Sequence, residues 1–156
     1  MDFLNIAKKI ARRAVSEALQ QVSHSSYEDL NGASKSVSQW DNEWICIGLL
    51  KTADLTPYNH CVGLYKHMID GKTMYIGRAI ELHNGGFRKR LSDYRRESNS
   101  ARKHLSGRNI NEHLNEIITY ILIVGDTEEA VMETKLLEGP FIAYYGYPEW
   151  NKQLNI

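Results

Sequence analysis

The chain has few of the residues that characterise disulfide-rich, zinc-binding or membrane-spanning proteins. Cys46 and Cys61 are its two cysteines among 156 residues, which is too few for a disulfide framework or a cysteine-based zinc site. No apolar run approaches the roughly 20 residues that a membrane-spanning helix needs. The N-terminal stretch is amphipathic, and Asp2 follows the first methionine, so no signal peptide is expected. These absences favour a cytoplasmic protein without a membrane partner.

The net charge is zero, but the charges are unevenly distributed along the chain. Residues 78–108 hold nine lysines and arginines against three acidic residues, whereas residues 109–156 hold two basic residues against eight acidic ones. A chain divided in this way can bind a polyanion with one surface and remain soluble through the other. The alternative is that the two segments only attract each other within the fold.

The N-terminal part of the chain is predicted to be an appendage. Residues 2–22 have the apolar stripe of an amphipathic helix that docks on the domain or on a second subunit. Residues 23–42 are polar and rich in serine, which predicts a linker with at most short structure. The run 43–50 is compatible with either a strand or the start of a short helix. We therefore predict an N-terminal helix and linker over residues 1–58 and the main domain over residues 59–156.

The centre of the chain is predicted to be a β-hairpin that presents two tyrosines. Apolar and β-branched residues surround Tyr65 and Tyr75, and Asp70-Gly71 is a typical turn between two strands. Because side chains alternate along a strand, the two tyrosines share a face only if the hairpin loop has an odd number of residues. A three-residue loop, Asp70-Gly71-Lys72, meets this condition.

The second half of the chain is predicted to contain helices around one further strand. Residues 87–94 place apolar side chains at helical spacing, and residues 109–116 are predicted to form a short helix. Residues 117–124 are a nearly unbroken β-branched run, which is typical of a central strand. Thr127 can cap a helix that follows this strand. The predicted fold class is α/β, with a small three-stranded antiparallel sheet flanked by helices and an N-terminal helical appendage.

Four blocks of sequence follow one another between residues 60 and 152. They are Gly-Leu-Tyr at 63–65, Tyr-Ile-Gly at 75–77, Arg-Lys-Arg-Leu-Ser-Asp-Tyr at 88–94, and Leu-Glu at 137–138 with Pro-Glu-Trp-Asn at 148–151. In this order they resemble the GIY-YIG endonuclease family, and most closely its compact phage endonuclease II and restriction-enzyme branch. Leucine stands at position 64 where the family has isoleucine. The stretch between the second and third blocks is longer than usual because of His-Asn-Gly-Gly at 83–86.

The resemblance implies the GIY-YIG nuclease fold and a set of catalytic residues. By position these residues are Tyr65, Tyr75, Arg90, Tyr94, Glu138 and Asn151. The resemblance implies that Glu138 binds Mg²⁺ or Mn²⁺ and that Arg90 neutralises the phosphate. Tyr65, with its pKa lowered near the metal, would take a proton from the attacking water. Tyr75 and Tyr94 would orient water or phosphate, and Asn151 would hold the region of Glu138 in place.

Two of these assignments have rivals in the sequence. Arg88 competes with Arg90 for the role of the arginine, and the spacing to Tyr94 favours Arg90. Glu133 competes with Glu138 for the role of the metal ligand, and the spacing to the residues that follow favours Glu138.

The function that the resemblance implies is a metal-dependent DNA endonuclease. Basic residues would follow the DNA backbone without choosing a sequence. The candidates for these contacts are Arg78, Arg88, Lys89, Arg95, Arg96, Arg102, Lys103 and Arg108. The alternative is a nucleic-acid-binding module that has the same fold and does not cut. A homo-oligomer formed through the helix of residues 2–22 would supply two active sites for two DNA strands.

Overall fold

An antiparallel sheet with helices on both faces forms the centre of the computed structural model, which describes residues 35–96 and 105–151. In chain order the elements are α1 (Val37–Trp40), β1 (Ile45–Leu49), β2 (Val62–Ile69), β3 (Lys72–Ala79), α2 (Gly86–Asp93), α3 (Leu105–Glu112), β4 (Ile118–Gly125) and α4 (Glu128–Tyr144). The strand order is β1-β4-β2-β3, and all neighbouring strands are antiparallel. The predicted α/β class, an antiparallel sheet flanked by helices, is confirmed. The predicted helix over residues 2–22 lies outside the described residues.

The sheet has four strands where the sequence predicted three. The additional strand is β1, in which Ile45 pairs with Ile121 and Leu49 pairs with Ile118 on β4. Periodicity cannot separate a strand from a helix over so short a run, and pairing with the edge of β4 is what selects the strand. β1 precedes residue 59, so the sheet extends to the N-terminal side of the predicted domain boundary.

The helices lie close to their predicted positions, with one displacement. α3 begins at Leu105 and ends at Glu112, four residues before the predicted end at Glu116, and its buried side includes Ser106 and Ile110. α4 follows β4 as expected, and the Thr127 hydroxyl accepts a hydrogen bond from the Ala130 amide at 3.2 Å. Across residues 35–96 and 105–151, no helix has the length and apolar character needed to cross a membrane.

β2 and β3 are joined by a two-residue turn instead of the predicted three-residue loop. Ile69 pairs with Lys72, which leaves Asp70 and Gly71 in the turn. Both turn residues have positive φ, 50° and 74°, as the type I′ turn of a two-residue hairpin requires. The residues that make the turn were therefore predicted correctly, and its length was wrong.

A bulge in β3 compensates for the even length of this turn. His67 pairs with Tyr75 and Met68 pairs with Thr73, so Met74 is an extra residue without a partner on β2. One extra residue reverses the alternation of side chains in the rest of the strand. Tyr75 therefore lies on the same face as Tyr65, which is the condition that the sequence imposed.

Both faces of the sheet are covered. On the first face, the buried side chains include Tyr65 and Ile121 from the strands, Phe87 and Leu91 from α2, and Ile110 from α3. On the second face, Leu64, Ile76 and Leu122 from the strands pack with Val37 and Trp40 of α1 and with Leu137 and Phe141 of α4. Side chains of α2 and α3 thus cover the first face, and those of α1 and α4 cover the second.

A buried lysine connects residues 41–44, which precede β1, to the second face of the sheet. The Nζ of Lys66 lies 4.6, 5.0 and 4.7 Å from the ring centroids of Trp44, Tyr120 and Tyr145. This Nζ also donates to the hydroxyl of Tyr145 at 3.1 Å. Burial lowers the pKa of Lys66, and the charge of Asp41 opposes that change. The carboxylate of Asp41 in turn accepts hydrogen bonds from Trp44 Nε1 and from the Tyr145 hydroxyl.

We expect Asp41→Ala to lower the free energy of unfolding by about 2–3 kcal/mol, because two partly buried donors and the Lys66 ammonium lose their common anion. Urea unfolding measures this change. Glu43→Ala is the matched control, since Glu43 pairs with Lys35 at the exposed surface and such pairs contribute less than about 1 kcal/mol. If Asp41→Ala lowers the free energy of unfolding as little as the control does, Asp41 does not hold residues 41–44 to the second face of the sheet.

Candidate active site

Three tyrosines and a histidine come together on the first face of the sheet. The ring centroid of Tyr65 lies 6.1 Å from that of Tyr75 and 6.0 Å from that of Tyr94. The ring of His67 lies 5.0 Å from that of Tyr65. The hydroxyls of Tyr65 and Tyr94 share a hydrogen bond of 2.5 Å. We call these four residues the tyrosine cluster; it unites β2, β3 and the C-terminal end of α2.

Two glycines make room for the Tyr65 side chain and its strand. Gly77 is paired with Tyr65 across the hairpin, and a Cβ at this position would lie 2.4 Å from both Cζ and the hydroxyl oxygen of Tyr65. A Cβ at Gly63 would lie 1.9 Å from the carbonyl oxygen of Leu122. Packing of the phenol against the bare backbone of β3 thus explains the glycine that ends the Tyr-Ile-Gly block.

Arg90 and Glu138 bring opposite charges to the tyrosine cluster. The Nε of Arg90 donates to the carbonyl of Arg78 at 3.3 Å, and interaction with Tyr65 is the main cause that raises the pKa of its guanidinium. On α4, the Oε1 of Glu138 lies 3.7 Å from the Nη1 of Arg78. Burial raises the pKa of Glu138, and Arg78 and Arg90 oppose that rise. The charge of Glu138 also acts on Tyr75.

The structure separates each of these residues from its rival. Arg88 is exposed and lines a cavity with His60 and Ser92, whereas Arg90 interacts with the tyrosines. Glu138, and not Glu133, is the acid of α4 that interacts with Tyr75 and Arg78. The residues that the spacing favoured are therefore the ones that the fold brings together.

Burial makes the phenols of the cluster weaker acids than an ordinary tyrosine. The Tyr65 side chain is 0% exposed, and burial is the main cause that raises the pKa of its hydroxyl well above the ordinary value. Burial likewise raises the pKa of Tyr75 and of Tyr94. In the described part of the chain, Arg90 is the group that lowers the pKa of Tyr65. Tyr75 and Tyr94 are partly exposed, so they lie between Tyr65 and solvent.

Asn151 binds the backbone of β3. Its Oδ1 accepts from the Ile76 amide at 2.9 Å, and its Nδ2 donates to the Ile76 carbonyl at 2.8 Å. The Trp150 amide donates to the carbonyl of the bulged Met74 at 3.0 Å. The resemblance implied that Asn151 holds the region of Glu138, whereas its contacts hold the middle of the Tyr-Ile-Gly block and satisfy the outer edge of the sheet.

Two polar residues of the site were not among the predicted ones. His67 is 0% exposed, its Nδ1 lies 2.9 Å from the Thr119 hydroxyl, and its Nε2 has no hydrogen-bond partner among the described residues. Ser106 of α3 interacts with the Tyr75 side chain and lowers the pKa of its hydroxyl. The alternation of side chains, which places residues 65 and 67 on one face, was a signal for His67. Ser106 lies in a polar, basic stretch with no such signal.

We expect His67 to make the protein sensitive to acid. Burial lowers the pKa of His67 from 6.5 to about 3, so an unfolded chain binds a proton at this residue before the folded protein does. The stability that depends on the neutral ring is fully present above pH 6.5 and is lost as the pH falls toward 3. The loss amounts to about 1.4 kcal/mol per pH unit within this window.

Urea unfolding of His67→Gln between pH 7 and pH 4 tests this expectation. The free energy of unfolding of the variant should fall less steeply with decreasing pH than that of the wild type. His60→Gln, which removes an exposed histidine, is the control. Parallel pH curves for wild type and His67→Gln would contradict the assignment.

Glu138 is the candidate ligand for a divalent cation. Across residues 35–96 and 105–151, no group of three or more His, Cys, Asp or Glu side chains is placed to hold a metal ion. Mg²⁺ does not require such a group, because it keeps several waters and is often bound by one or two carboxylates together with substrate phosphates. The Glu138 side chain is 26% exposed, and as a hard oxygen donor beside the tyrosine cluster it fits this mode of binding.

The predicted DNA-binding residues have different environments. Arg95 is tied to the fold, since its Nε and Nη2 donate to the carbonyls of Leu50 and Ala53 at 2.7 and 2.5 Å. Arg78 faces Glu138. Arg88, Lys89 and Arg96 line one cavity, and Arg108 is exposed on α3. Arg102 and Lys103 lie outside the described residues.

Comparisons of this chain with protein-family models, with curated proteins and with solved structures find no match.

Proposed function

We propose that this protein is a metal-dependent DNA endonuclease with a GIY-YIG-type fold, which hydrolyses phosphodiester bonds. The observation that carries the proposal is the meeting of Tyr65, Tyr75, Tyr94, Arg90 and Glu138 in one place. These residues come from β2, β3, α4 and the region of α2. If the tyrosines of the hairpin were only core residues, Tyr94, Arg90 and Glu138 would have no reason to lie beside them. The combination of phenols, a guanidinium and a carboxylate is suited to the hydrolysis of a phosphodiester.

Hydrolysis of a phosphodiester needs neutralisation of the phosphate, an activated water and stabilisation of the departing oxygen. The guanidinium of Arg90 supplies the positive charge, since Nε is used by the Arg78 carbonyl and the terminal nitrogens are left to bind phosphate oxygens. The hydroxyls of Tyr75 and Tyr94 orient water and phosphate, because they are the partly exposed phenols of the cluster.

Tyr65 acts from behind these two phenols. Its side chain is fully buried and its hydroxyl is bonded to that of Tyr94, so a proton taken from water reaches Tyr65 through Tyr94. The pair can accept this proton only as a phenolate, after one of its two hydroxyl protons has been lost to solvent. The nearby charge of Arg90 favours that release, and burial opposes it.

Glu138 would hold Mg²⁺ or Mn²⁺ together with a phosphate oxygen of the DNA. When bound, the cation supplies a Lewis acid for the phosphate and for the departing oxygen. Arg78 keeps the carboxylate oriented toward the cluster through the 3.7 Å contact.

Incubation with supercoiled plasmid DNA tests the proposed activity. We expect the purified full-length protein to convert the plasmid to nicked and linear forms in Mg²⁺ and to leave it intact in EDTA. Binding without cleavage in Mg²⁺ and in Mn²⁺ would contradict the nuclease and support the alternative, a non-cleaving nucleic-acid-binding module. Modified and branched DNAs in the same assay define the substrate. Light scattering tests the proposed oligomer formed through residues 2–22, which a monomeric mass would contradict.

A further inference from the structure

A cavity lies beside α2, on the side away from the tyrosine cluster. Its volume is about 650 Å³, and its polar lining includes Asn59, His60, Asn84, Arg88, Ser92 and Arg96. None of the described residues that line it is acidic, and none is a tyrosine, phenylalanine or tryptophan. The cavity therefore offers hydrogen-bond donors and positive charge, and the aromatic rings among its described lining residues are the imidazoles of His60 and His83.

One side of α2 and the turn after it supply the cationic wall of this cavity. Arg88, Ser92 and Arg96 follow one another at intervals of four residues, so the first two lie on the same side of the helix. Arg90 is two residues from Arg88 and projects from the opposite side, toward the tyrosines. The same short helix thus separates the candidate active site from the cavity.

The other wall is the His-Asn-Gly-Gly segment at 83–86, which makes this chain longer between its second and third sequence blocks. The segment is held closely against the fold: the Gly86 amide donates to the Glu81 carbonyl at 2.9 Å, and the Phe87 amide donates to the Cys61 carbonyl at 3.2 Å. Gly86 has a φ of 47°, and a Cβ there would lie 2.2 Å from the Cys61 carbonyl oxygen. The wall is therefore formed before any ligand binds.

The lysine of the cavity is already neutralised, but its arginines are not. The Nζ of Lys89 lies 3.0 Å from Glu81 and 3.4 Å from Asp93. Among the described residues, Arg96 has one long ion-pair contact, of 3.9 Å, with Asp93. Arg88 acts on Asp54 at longer range and forms no ion pair within the described part of the chain. Arg88 thus retains its full capacity to bind an anion, and Arg96 retains most of it.

We infer that this cavity binds a phosphate group of the nucleic-acid backbone at a distance from the bond that is cut, with Arg88 as the principal ligand and Arg96 as the second. One guanidinium group can donate two parallel hydrogen bonds to two oxygens of a phosphate. The amide and hydroxyl side chains of the cavity add neutral donors. The inference rests on the proposed function in one respect, that DNA is the substrate. A phosphate here and the phosphate at Arg90 would clamp one bound DNA on both sides of α2, so this site contributes affinity and placement.

Equilibrium binding of a labelled DNA duplex over a range of salt concentrations tests the inference, with Glu138→Ala as the background so that no DNA is cut. We expect Arg88→Gln with Arg96→Gln to weaken binding by about 10-fold or more and to reduce the slope of log K against log salt by about 1–2. Lys135→Gln, an exposed lysine on α4, is the control and should change neither quantity. Because both arginines are exposed, thermal unfolding should be unchanged.

Two further measurements separate this site from the reaction centre. With Glu138 restored, the double variant should cut saturating DNA at the wild-type single-turnover rate. Inorganic phosphate should shift the backbone amide NMR signals of residues 83–88 in the wild type and not in the double variant. Such a shift shows that the site binds a phosphate by itself, and not only as part of DNA. Wild-type affinity and slope in the double variant would overturn the inference, as would a large loss of the single-turnover rate. If the wild type binds DNA in this way without cutting it, the proposed function fails and the phosphate site stands.

Discussion

Replacement of Glu138 by glutamine is expected to reduce DNA cleavage by roughly three orders of magnitude or more, while the protein stays folded and binds DNA. Glutamine keeps the size of the side chain and removes the anion that would hold the cation. The remaining residues, Tyr75, Tyr94 and Arg90, can still position a phosphate, but the departing oxygen loses its stabilisation. Single-turnover cleavage in Mg²⁺, together with a binding assay, measures both effects.

The pKa of Glu138 explains why the fold should survive this change. Burial raises the pKa above its ordinary value despite the nearby arginines, so the folded protein binds a proton at this carboxyl more readily than the unfolded chain does. The stability associated with this group is fully present below the pKa of the unfolded chain and is lost as the pH rises through the folded value. Glutamine has no such loss, and unfolding of the variant at neutral pH should require at least as much free energy as unfolding of the wild type.

Glu133→Gln is the matched control, because Glu133 lies on the same helix and was the rival for the same role. It should leave cleavage and binding unchanged. Wild-type cleavage by Glu138→Gln, or loss of cleavage in Glu133→Gln instead, would sink the assignment of the metal ligand.

Gly77→Ala is expected to damage both the fold and the activity. The new methyl group would lie 2.4 Å from the ring of Tyr65, whose side chain is fully buried, so the ring or its strand must shift. Overpacking of this kind costs about 1–3 kcal/mol, and displacement of a catalytic group by about 1 Å can lower the rate on the order of 100-fold. Urea unfolding and single-turnover cleavage measure the two effects.

A second substitution separates these two effects. In Gly77→Ala with Tyr65→Phe, one of the two Tyr65 atoms that lie 2.4 Å from the new methyl group is removed, so part of the stability should return while cleavage remains low. Gly139→Ala is the control for adding a methyl group, since a Cβ there meets nothing within 4 Å and alanine is better than glycine inside a helix by about 1 kcal/mol. Unchanged stability and unchanged rate in Gly77→Ala would refute the packing explanation.

Local sequence predicted the elements and the residue types of the site, but not the contacts that set their exact placement. Asp70-Gly71 identified the turn because aspartate and glycine adopt positive φ more readily than most residues do, and both have positive φ in this turn. The bulge at Met74 has no such local signal, since its carbonyl is satisfied by the amide of Trp150 far along the chain. The pairing of β1 with β4 depends on the edge that β4 leaves free, so residues 45–49 remained ambiguous until the sheet was complete.

The candidate site shows the same division. The spacing of the family that the sequence resembles was enough to prefer Arg90 over Arg88 and Glu138 over Glu133. The burial of Tyr65 behind Tyr94 was not predictable, because it depends on how α2 packs on the sheet. The contact of Asn151 was not predictable either, because its amide binds the backbone of Ile76, which lies far from residue 151 in the sequence.

The bulge at Met74 also determines how the hairpin tolerates changes in length. Asp70 and Gly71 are exposed, and an exposed loop tip normally accepts insertions. Here an insertion of two residues would lengthen both strands by one and keep Tyr75 beside Tyr65, whereas an insertion of one residue that extended β3 would send Tyr75 to the other face unless the bulge disappeared. Insertions that keep His67 paired with Tyr75 should therefore be tolerated in this hairpin, and those that shift this pairing by one residue should not.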